Sequence, residues 1–337
     1  MLNTALGKLA AGQHLSLLEM QAVIDEVMQG RVPESQIALL LTALAHKGET
    51  VEEIAGAAAA MRQHMTPIRH NRMGVIDTCG PGGHSSGTFN VSTAAALVTA
   101  AAGTPVAKHG NRSITSKTGS ADALAALGVS IAAPVPVVEQ CLNEIGVCFC
   151  FAPSLHAAMK HVAAVRKSLP FRTIFNLLGP LCNPASAPYQ LLGVGKPELR
   201  PLLAQALALL GTERTLVVYG EDGIGEVSLS GPTRVTEVST GELREFTWSP
   251  SDFGLAIAGR DALLVDTPQQ SASIIRQVLA GEAGPPRDIV ILNAAAALWT
   301  AGHSADLLAC AAAAAQTIDS GQAQATLAQL VRISNST

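Results

Sequence analysis

From the amino terminus to residue 66, apolar residues recur three and four apart, as at Leu17, Met20, Ile24 and Met28. This spacing predicts four helices over 5–11, 16–29, 33–47 and 51–64. Ser16 stands three residues before Glu19 as a capping box, Pro33 falls at a first-turn position, and Thr50 precedes Val51, Glu52 and Glu53. The apolar stripes of these helices must pack on something, either a second unit of the chain or a second copy of it. After Pro67 the pattern changes to short β-branched runs alternating with alanine- and leucine-rich stretches, as expected of a mainly parallel sheet with helices on its faces. The predicted strands are 74–78, 105–108, 147–151, 191–194, 215–219, 226–229, 234–238 and 242–246. The predicted helices are 92–102, 120–127, 135–145, 155–169, 197–210, 270–280, 288–301, 304–320 and 322–333. Turn signals at Gly231-Pro232 and Gly241-Glu242 mark an antiparallel patch at the end of the sheet. The expected fold class is α/β, with a small helical domain over 1–68 and a large α/β domain over 69–337.

The chain has 337 residues, more than one typical core requires, and 48% of them are hydrophobic, enough to fill an extensive interior. Its net charge of −4, with no run of lysine or arginine, argues against nucleic acid and against anionic membrane surfaces as partners. The six cysteines lack metal-ligand spacing, and strand alternation places Cys148 and Cys150 on one buried face. They read as reduced packing residues. Residues 1–9 show no leader pattern, and the longest apolar runs, near 94–103 and 288–300, are too short to span a bilayer. A soluble, cytoplasmic protein is expected.

Candidate chemistry concentrates in two loops. The first packs Gly80, Gly82, Gly83 and Gly87 ahead of the string TFNVST at 88–93. Glycines let successive N–H groups converge on one set of oxygens. Ser92 or Thr93 falls where an N-cap belongs, and the helix N-terminus behind it favours phosphate. The second loop, KHGNRSITSKTGS at 108–120, brings the cations Lys108, Arg112 and Lys117 and the hydroxyls of Ser113, Thr115, Ser116 and Ser120, suited to a second phosphate. Because GPGGHSSG lacks the G-x-G-x-x-G spacing, a doubly phosphorylated small molecule fits better than a dinucleotide.

The strings KHGNR (108–112), TFNVST (88–93), GSAD (119–122) and RTIFNLLGP (172–180) make the chain resemble the anthranilate phosphoribosyltransferase family over about residues 5 to 330. The resemblance implies the nucleoside phosphorylase/phosphoribosyltransferase fold class. It also implies a helical crossover near 155–188 that returns to the helical domain, with the active site in the cleft between domains. The implied reaction, a step of tryptophan biosynthesis, moves phosphoribose from 5-phosphoribosyl 1-pyrophosphate to the amino group of anthranilate and releases pyrophosphate. Positioning and electrostatics carry such a displacement, with no nucleophilic side chain. The phosphoribosyl pyrophosphate contacts carried over are Gly80, Gly83, His84, Thr88, Asn90, Val91, Ser92, Thr93, Lys108, His109, Gly110, Asn111, Arg112, Ser113, Ile114, Thr115, Ser116 and Ser120. Anthranilate falls to Gly80, Asn111 and Arg166, with His109 and His156 lining its channel, and Mg2+ to Ser92 and Glu226. A homodimer through the amino-terminal helices is implied as well.

The chain departs from the family pattern at five positions. His84 stands where an aspartate is usual and Pro81 where threonine is usual. In the late loop EDGIGE (221–226) Gly225 takes the place of another aspartate, and Ala157 and Ala164 replace prolines. Losing carboxylates should weaken a magnesium site. The expectation is a single weakly held ion on Ser92 and Glu226, with Glu221 or Asp222 as possible substitutes and His84 as a direct donor to pyrophosphate. Three other readings fit less of the pattern: a related transferase with another aromatic acceptor, a pyrimidine nucleoside phosphorylase, and a catalytically weak ligand-binding paralogue. KHGNR and Arg166 argue against the phosphorylase, and the missing aspartates favour the paralogue.

Overall fold

Four amphipathic helices open the chain, α1 (Leu2–Ala10), α2 (Leu17–Met28), α3 (Glu34–Lys47) and α4 (Val51–His64). In the computed structural model, which describes residues 1–80, 87–112 and 118–336, both expected capping boxes form, Ser16 with Glu19 and Thr50 with Glu53. Glu53 is fully buried and does more than cap. Its carboxylate accepts from the N–H groups of Leu15 (3.0 Å) and Thr50 (2.9 Å) and from the Lys47 ammonium (2.9 Å), tying two interhelical turns together.

The α/β part follows as β1 (Ile76–Cys79), α5 (Val91–Ala101), β2 (Val106–Gly110), α6 (Ser120–Leu127), α7 (Val135–Ile145) and β3 (Val147–Phe151). A crossover carries α8 (Ala152–Leu155), α9 (Lys160–Ser168) and α10 (Phe175–Leu178). The chain then continues through β4 (Tyr189–Gly193), α11 (Leu199–Leu210), β5 (Arg214–Gly220), β6 (Thr233–Ser239) and β7 (Glu242–Trp248). It ends on α12 (Pro268–Leu279), α13 (Pro285–Thr300), α14 (Leu307–Asp319) and α15 (Gln322–Ser334). One sheet runs β3-β2-β1-β4-β5-β6-β7, parallel through β5 and antiparallel at β6 and β7. Thr240 and Gly241 join the last two strands with φ of 49° and 85°, the positive values that a two-residue type I′ hairpin turn demands. The connection from β1 runs to β2 on one side and that from its neighbour β4 runs to β5 on the other, so the sheet has a switch point at the carboxyl ends of β1 and β4, the crevice where such sheets bind ligands.

Two apolar cores share the sheet. One packs α5–α7 and α12–α15 on one face, while the other joins α1–α4, α9–α11 and the opposite face through Leu192, Val217 and Val238. The crossover thus belongs to the helical layer, and Arg62 of α4 donates to the Leu181 carbonyl at 2.7 Å to hold it there. Cys148 and Cys150 share a buried face with their sulfurs 3.8 Å apart, and all six thiols are free. Among the described residues no helix is long and apolar enough to cross a membrane.

Three expectations fail locally. Residues 226–229 form no strand, because the Val227 N–H and carbonyl both bond the Asn293 side chain at 2.9 Å and the Ser228 N–H goes to the Thr233 hydroxyl at 2.8 Å. An apolar run zipped to a helix through an asparagine looks like a strand in sequence. The helix over 155–169 breaks at His156, whose φ of −115° and ψ of 58° leave the helical region as its ring turns inward. Helix α5 starts at Val91 with Asn90 as its N-cap residue, not Ser92 or Thr93.

Gly56 marks the closest approach of α4 to α2: a Cβ built there would stand 2.3 Å from the Leu17 carbonyl oxygen. Gly56→Ala must push the helices apart and should lower stability by about 1–3 kcal/mol, the usual penalty of overpacking. Urea unfolding followed by circular dichroism measures it, and an unchanged midpoint would show that the two helices are free to separate.

Candidate active site at the carboxyl ends of β1 and β2

Lys108 occupies the centre of β2 and is almost wholly buried. Since β2 lies beside β1, its side chain reaches the end of the neighbouring strand. The ammonium donates to the Thr78 carbonyl at 2.5 Å and to the Ser92 hydroxyl at 3.2 Å. Lys108 therefore serves the first glycine loop, where the sequence pattern had grouped it with the second. Burial pulls its pKa down, and the Asp77 and Glu226 carboxylates oppose that pull.

Glu226 comes from the loop after β5 and accepts from the backbone N–H of Ser92 at the start of α5. Burial raises its pKa to about 7, against the lowering influence of Lys108 and that N–H. Gly80 lies beside both groups: a Cβ there would crowd the Ser92 Oγ at 3.2 Å and come into contact with the Glu226 Oε1 at 3.7 Å. A hydroxyl and a carboxylate facing one small space are hard oxygen donors of the kind magnesium takes. Glu221 pairs with Arg234 at 2.8 Å, and Asp222 lies 4.0 Å from Arg260. Among the described residues no three histidine, cysteine, aspartate or glutamate side chains converge, which leaves most of a cation's ligands to substrate and water.

At the second loop, Gly110 is hemmed in: a Cβ would meet the Ser120 Oγ at 2.3 Å and the Phe149 ring at 2.8 Å. Asn111 is exposed, with its Oδ1 taking the Arg112 N–H at 2.7 Å and its carbonyl taking the Ser120 hydroxyl at 3.4 Å. Arg112 pairs with Asp122 at 3.1 Å on α6. Asn90 bonds Ser271 and Thr118 through its side chain. Thr88 bridges Leu264, while Val91 and Thr93 are buried in the first turn of α5. Gly83, His84, Ser113, Ile114, Thr115, Ser116 and Lys117 lie outside the described residues, as does Pro81.

On the acceptor side, His109 and His156 meet with their Nε2 atoms 3.1 Å apart. His109 Nδ1 also bonds the Gly179 carbonyl at 2.9 Å, and His156 bonds the Cys182 carbonyl. Burial pushes the pKa of His109 down to about 3 and that of His156 to about 4, so both are neutral at physiological pH. This contact ties the crossover to β2. Arg166, on α9, stacks 5.6 Å from the Phe175 ring centroid, and burial alone lowers its pKa, with no carboxylate beside it among the described residues. A half-buried guanidinium without an acid is a ready seat for an anionic ligand.

The sequence gives no motif for the residues that hold these groups in place. Asp77 accepts the His109 N–H at 3.1 Å and the Gln190 amide at 3.5 Å, and it bonds Asn183. Asn183 in turn donates to the Ala107 carbonyl at 2.8 Å, and Gln190 to the Pro180 carbonyl at 2.7 Å. The available signal was an acid inside the apolar run before the first loop.

The sequence over 72–324 matches the model of the glycosyl transferase family a/b domain, and that over 3–65 matches the family's helical bundle domain. An anthranilate phosphoribosyltransferase of Rhodopirellula baltica is 50% identical over 95% of this chain and 93% of its own length. That of Pelotomaculum thermopropionicum is 47% identical over 98% and 96%. The crystal structure of the Thermus thermophilus enzyme superposes with a TM-score of 0.92 at 42% identity, covering 98% of this chain and 99% of that one. The Saccharomyces cerevisiae enzyme in complex with phosphoribosyl pyrophosphate and magnesium superposes at 0.89 with 28% identity, covering 100% and 98%. With both domains matched and half its residues shared with a full-length relative, the chain belongs to the anthranilate phosphoribosyltransferase family.

Proposed function

We propose that the chain transfers the phosphoribosyl group of 5-phosphoribosyl 1-pyrophosphate to anthranilate, giving N-(5-phosphoribosyl)anthranilate and pyrophosphate in tryptophan biosynthesis. The observation that carries this reading is the cluster of Lys108, Ser92, Glu226 and Gly80 at the sheet's switch point, opposite a crossover that bears an arginine without an acid. The yeast relative is described with phosphoribosyl pyrophosphate and magnesium and also with 4-fluoroanthranilate, an analogue of the acceptor.

In the reaction the amine lone pair forms the N–C1 bond as the C1–O bond breaks, the electron pair leaves on pyrophosphate, and the nitrogen loses a proton. The described chain contains no nucleophile placed for this, and its work is electrostatic. Lys108 sets a buried positive charge under the first loop, where the leaving group's charge grows. Ser92 and Glu226 would hold magnesium, which when bound would neutralise that same charge. Asn111, Arg112 and Ser120 border the remainder of the sugar phosphate site. Arg166 grips the anthranilate carboxylate, and the neutral His109–His156 pair walls the channel without adding a competing charge.

The helical domain over 1–68 would pair with a second copy. Leu18 is 74% exposed on α2 and Leu39 61% exposed on α3, large apolar side chains that one chain leaves uncovered. The composition and the helix lengths support a protein acting in the cytoplasm without membrane or nucleic acid.

Steady-state kinetics separate the two halves of the site. Arg166→Ala should raise KM for anthranilate by roughly 10–100-fold, the scale of hydrogen bonds to a charged group, and leave that for phosphoribosyl pyrophosphate nearly unchanged. Glu226→Gln should do the reverse, raising the magnesium demand and the KM for phosphoribosyl pyrophosphate. Equal effects on both substrates from either change would remove that residue from its role. For the assembly, light scattering should report a dimer, and Leu39→Glu should shift it towards monomer; a monomeric parent protein at micromolar concentration would contradict the proposed pairing.

A further inference from the structure

We propose that Ser271, at the start of α12, is a positioning residue that fixes the start of α5 against the start of α6 by acting through Asn90. Ser271 is fully buried, and its hydroxyl serves a single partner twice. It accepts the Asn90 N–H at 3.0 Å and donates to the Asn90 Oδ1 at 2.9 Å. With Oδ1 so engaged, the amide nitrogen of Asn90 faces the other way and donates to the Thr118 carbonyl at 3.4 Å.

The positions of these three residues give the chain of bonds its meaning. Asn90 is the N-cap residue of α5, where the first loop ends, and Thr118 directly precedes Gly119, the N-cap residue of α6, where the second loop ends. Ser271–Asn90–Thr118 therefore spans both loop exits with one asparagine. An N-cap asparagine ordinarily turns its side-chain oxygen onto the first turn of its own helix. Ser271 withholds that oxygen, and α5 has no side-chain cap. The Ser92 N–H is left to the Glu226 carboxylate.

The segment around Ser271 braces the same region at three further points. The Phe89 N–H donates to the Leu263 carbonyl and the Val265 N–H to the Gly87 carbonyl, both at 2.8 Å, so the exit of the first loop is pinned on each side of Thr88. At the far end, Arg276 donates to the Ala126 carbonyl at 2.9 Å, near the end of α6. Helix α12 packs on both α5 and α6. Each loop leads into one of these helices, so a ligand gripped at both requires the two helix starts at one fixed separation, and this brace sets that separation. The inference rests on reading the two loops as the phosphoribosyl pyrophosphate site.

The test uses Ser271→Ala, Ser271→Cys, Asn90→Ala and the Asn90/Ser271 double alanine variant. Phosphoribosyl pyrophosphate binding is followed by calorimetry with magnesium present, and KM is measured for both substrates. Ser271→Ala leaves a part-buried N–H and an amide oxygen of Asn90 without this partner, so its affinity for phosphoribosyl pyrophosphate should fall about tenfold while KM for anthranilate holds. Ser271→Cys, close in volume and a weaker donor, should fall between, and it carries the comparison if the alanine variant does not fold. The double variant should bind no more weakly than Asn90→Ala, because Ser271 acts only through Asn90. Wild-type affinity in the Ser271 variants, a parallel rise in both KM values, or additive losses in the double variant would overturn the assignment. Failure of the parent protein to bind phosphoribosyl pyrophosphate would instead overturn the proposed function.

Discussion

A lysine ammonium buried in a β-sheet loses the solvation of its charge, and only nearby carbonyls, hydroxyls and carboxylates can replace it. Lys108 finds the Thr78 carbonyl and the Ser92 hydroxyl, with Asp77 and Glu226 close enough to oppose the loss of its proton. Each partner is thereby fixed. Thr78 and Asp77 hold the end of β1, Ser92 holds the first turn of α5, and Glu226 draws in the loop after β5. The carboxyl ends of neighbouring strands converge on one cation, and the position of β1 between β2 and β4 opens the crevice above it.

The second constraint is Asp77, which extends the same network to the acceptor side. Burial raises its carboxyl to about 6, while Asn183, Lys108 and the His109 N–H pull it back. Through Asn183 and Gln190 it fastens the crossover to β2, and through the His109 backbone it fixes the histidine that meets His156. The ionisable groups of the site thus divide by environment: burial keeps the histidines neutral and holds the Asp77 and Glu226 carboxyls above the usual carboxylate range. Such a site is organised to receive charge, in keeping with a reaction whose barrier lies in a departing pyrophosphate.

Much of this was legible in the sequence because it is local. The capping boxes at Ser16 and Thr50, the hairpin at Gly241 and the paired thiols of Cys148 and Cys150 all depend on neighbours within a few residues. What was not legible depends on contacts between distant segments. Nothing near Lys108 says that its side chain crosses to β1 and not into its own loop; that follows from strand order. Residues 226–229 read as a strand because their partner Asn293 is 66 residues away from Val227. Asn90, not Ser92, stands at the cap position of α5, and its side chain is held by Ser271, 181 residues on. His84, the residue of most interest among the departures, lies outside the described residues, whereas Gly225 is visible, with Glu221 beside Arg234 and Asp222 near Arg260.

Phosphorus NMR of the protein with phosphoribosyl pyrophosphate, magnesium and anthranilate tests the assembled site most directly. If the Lys108 cluster and Arg166 form one transferase site, pyrophosphate should appear in step with loss of anthranilate fluorescence, and phosphoribosyl pyrophosphate should persist when anthranilate is left out. Pyrophosphate released at the same rate with and without anthranilate, or none released at all, would contradict it.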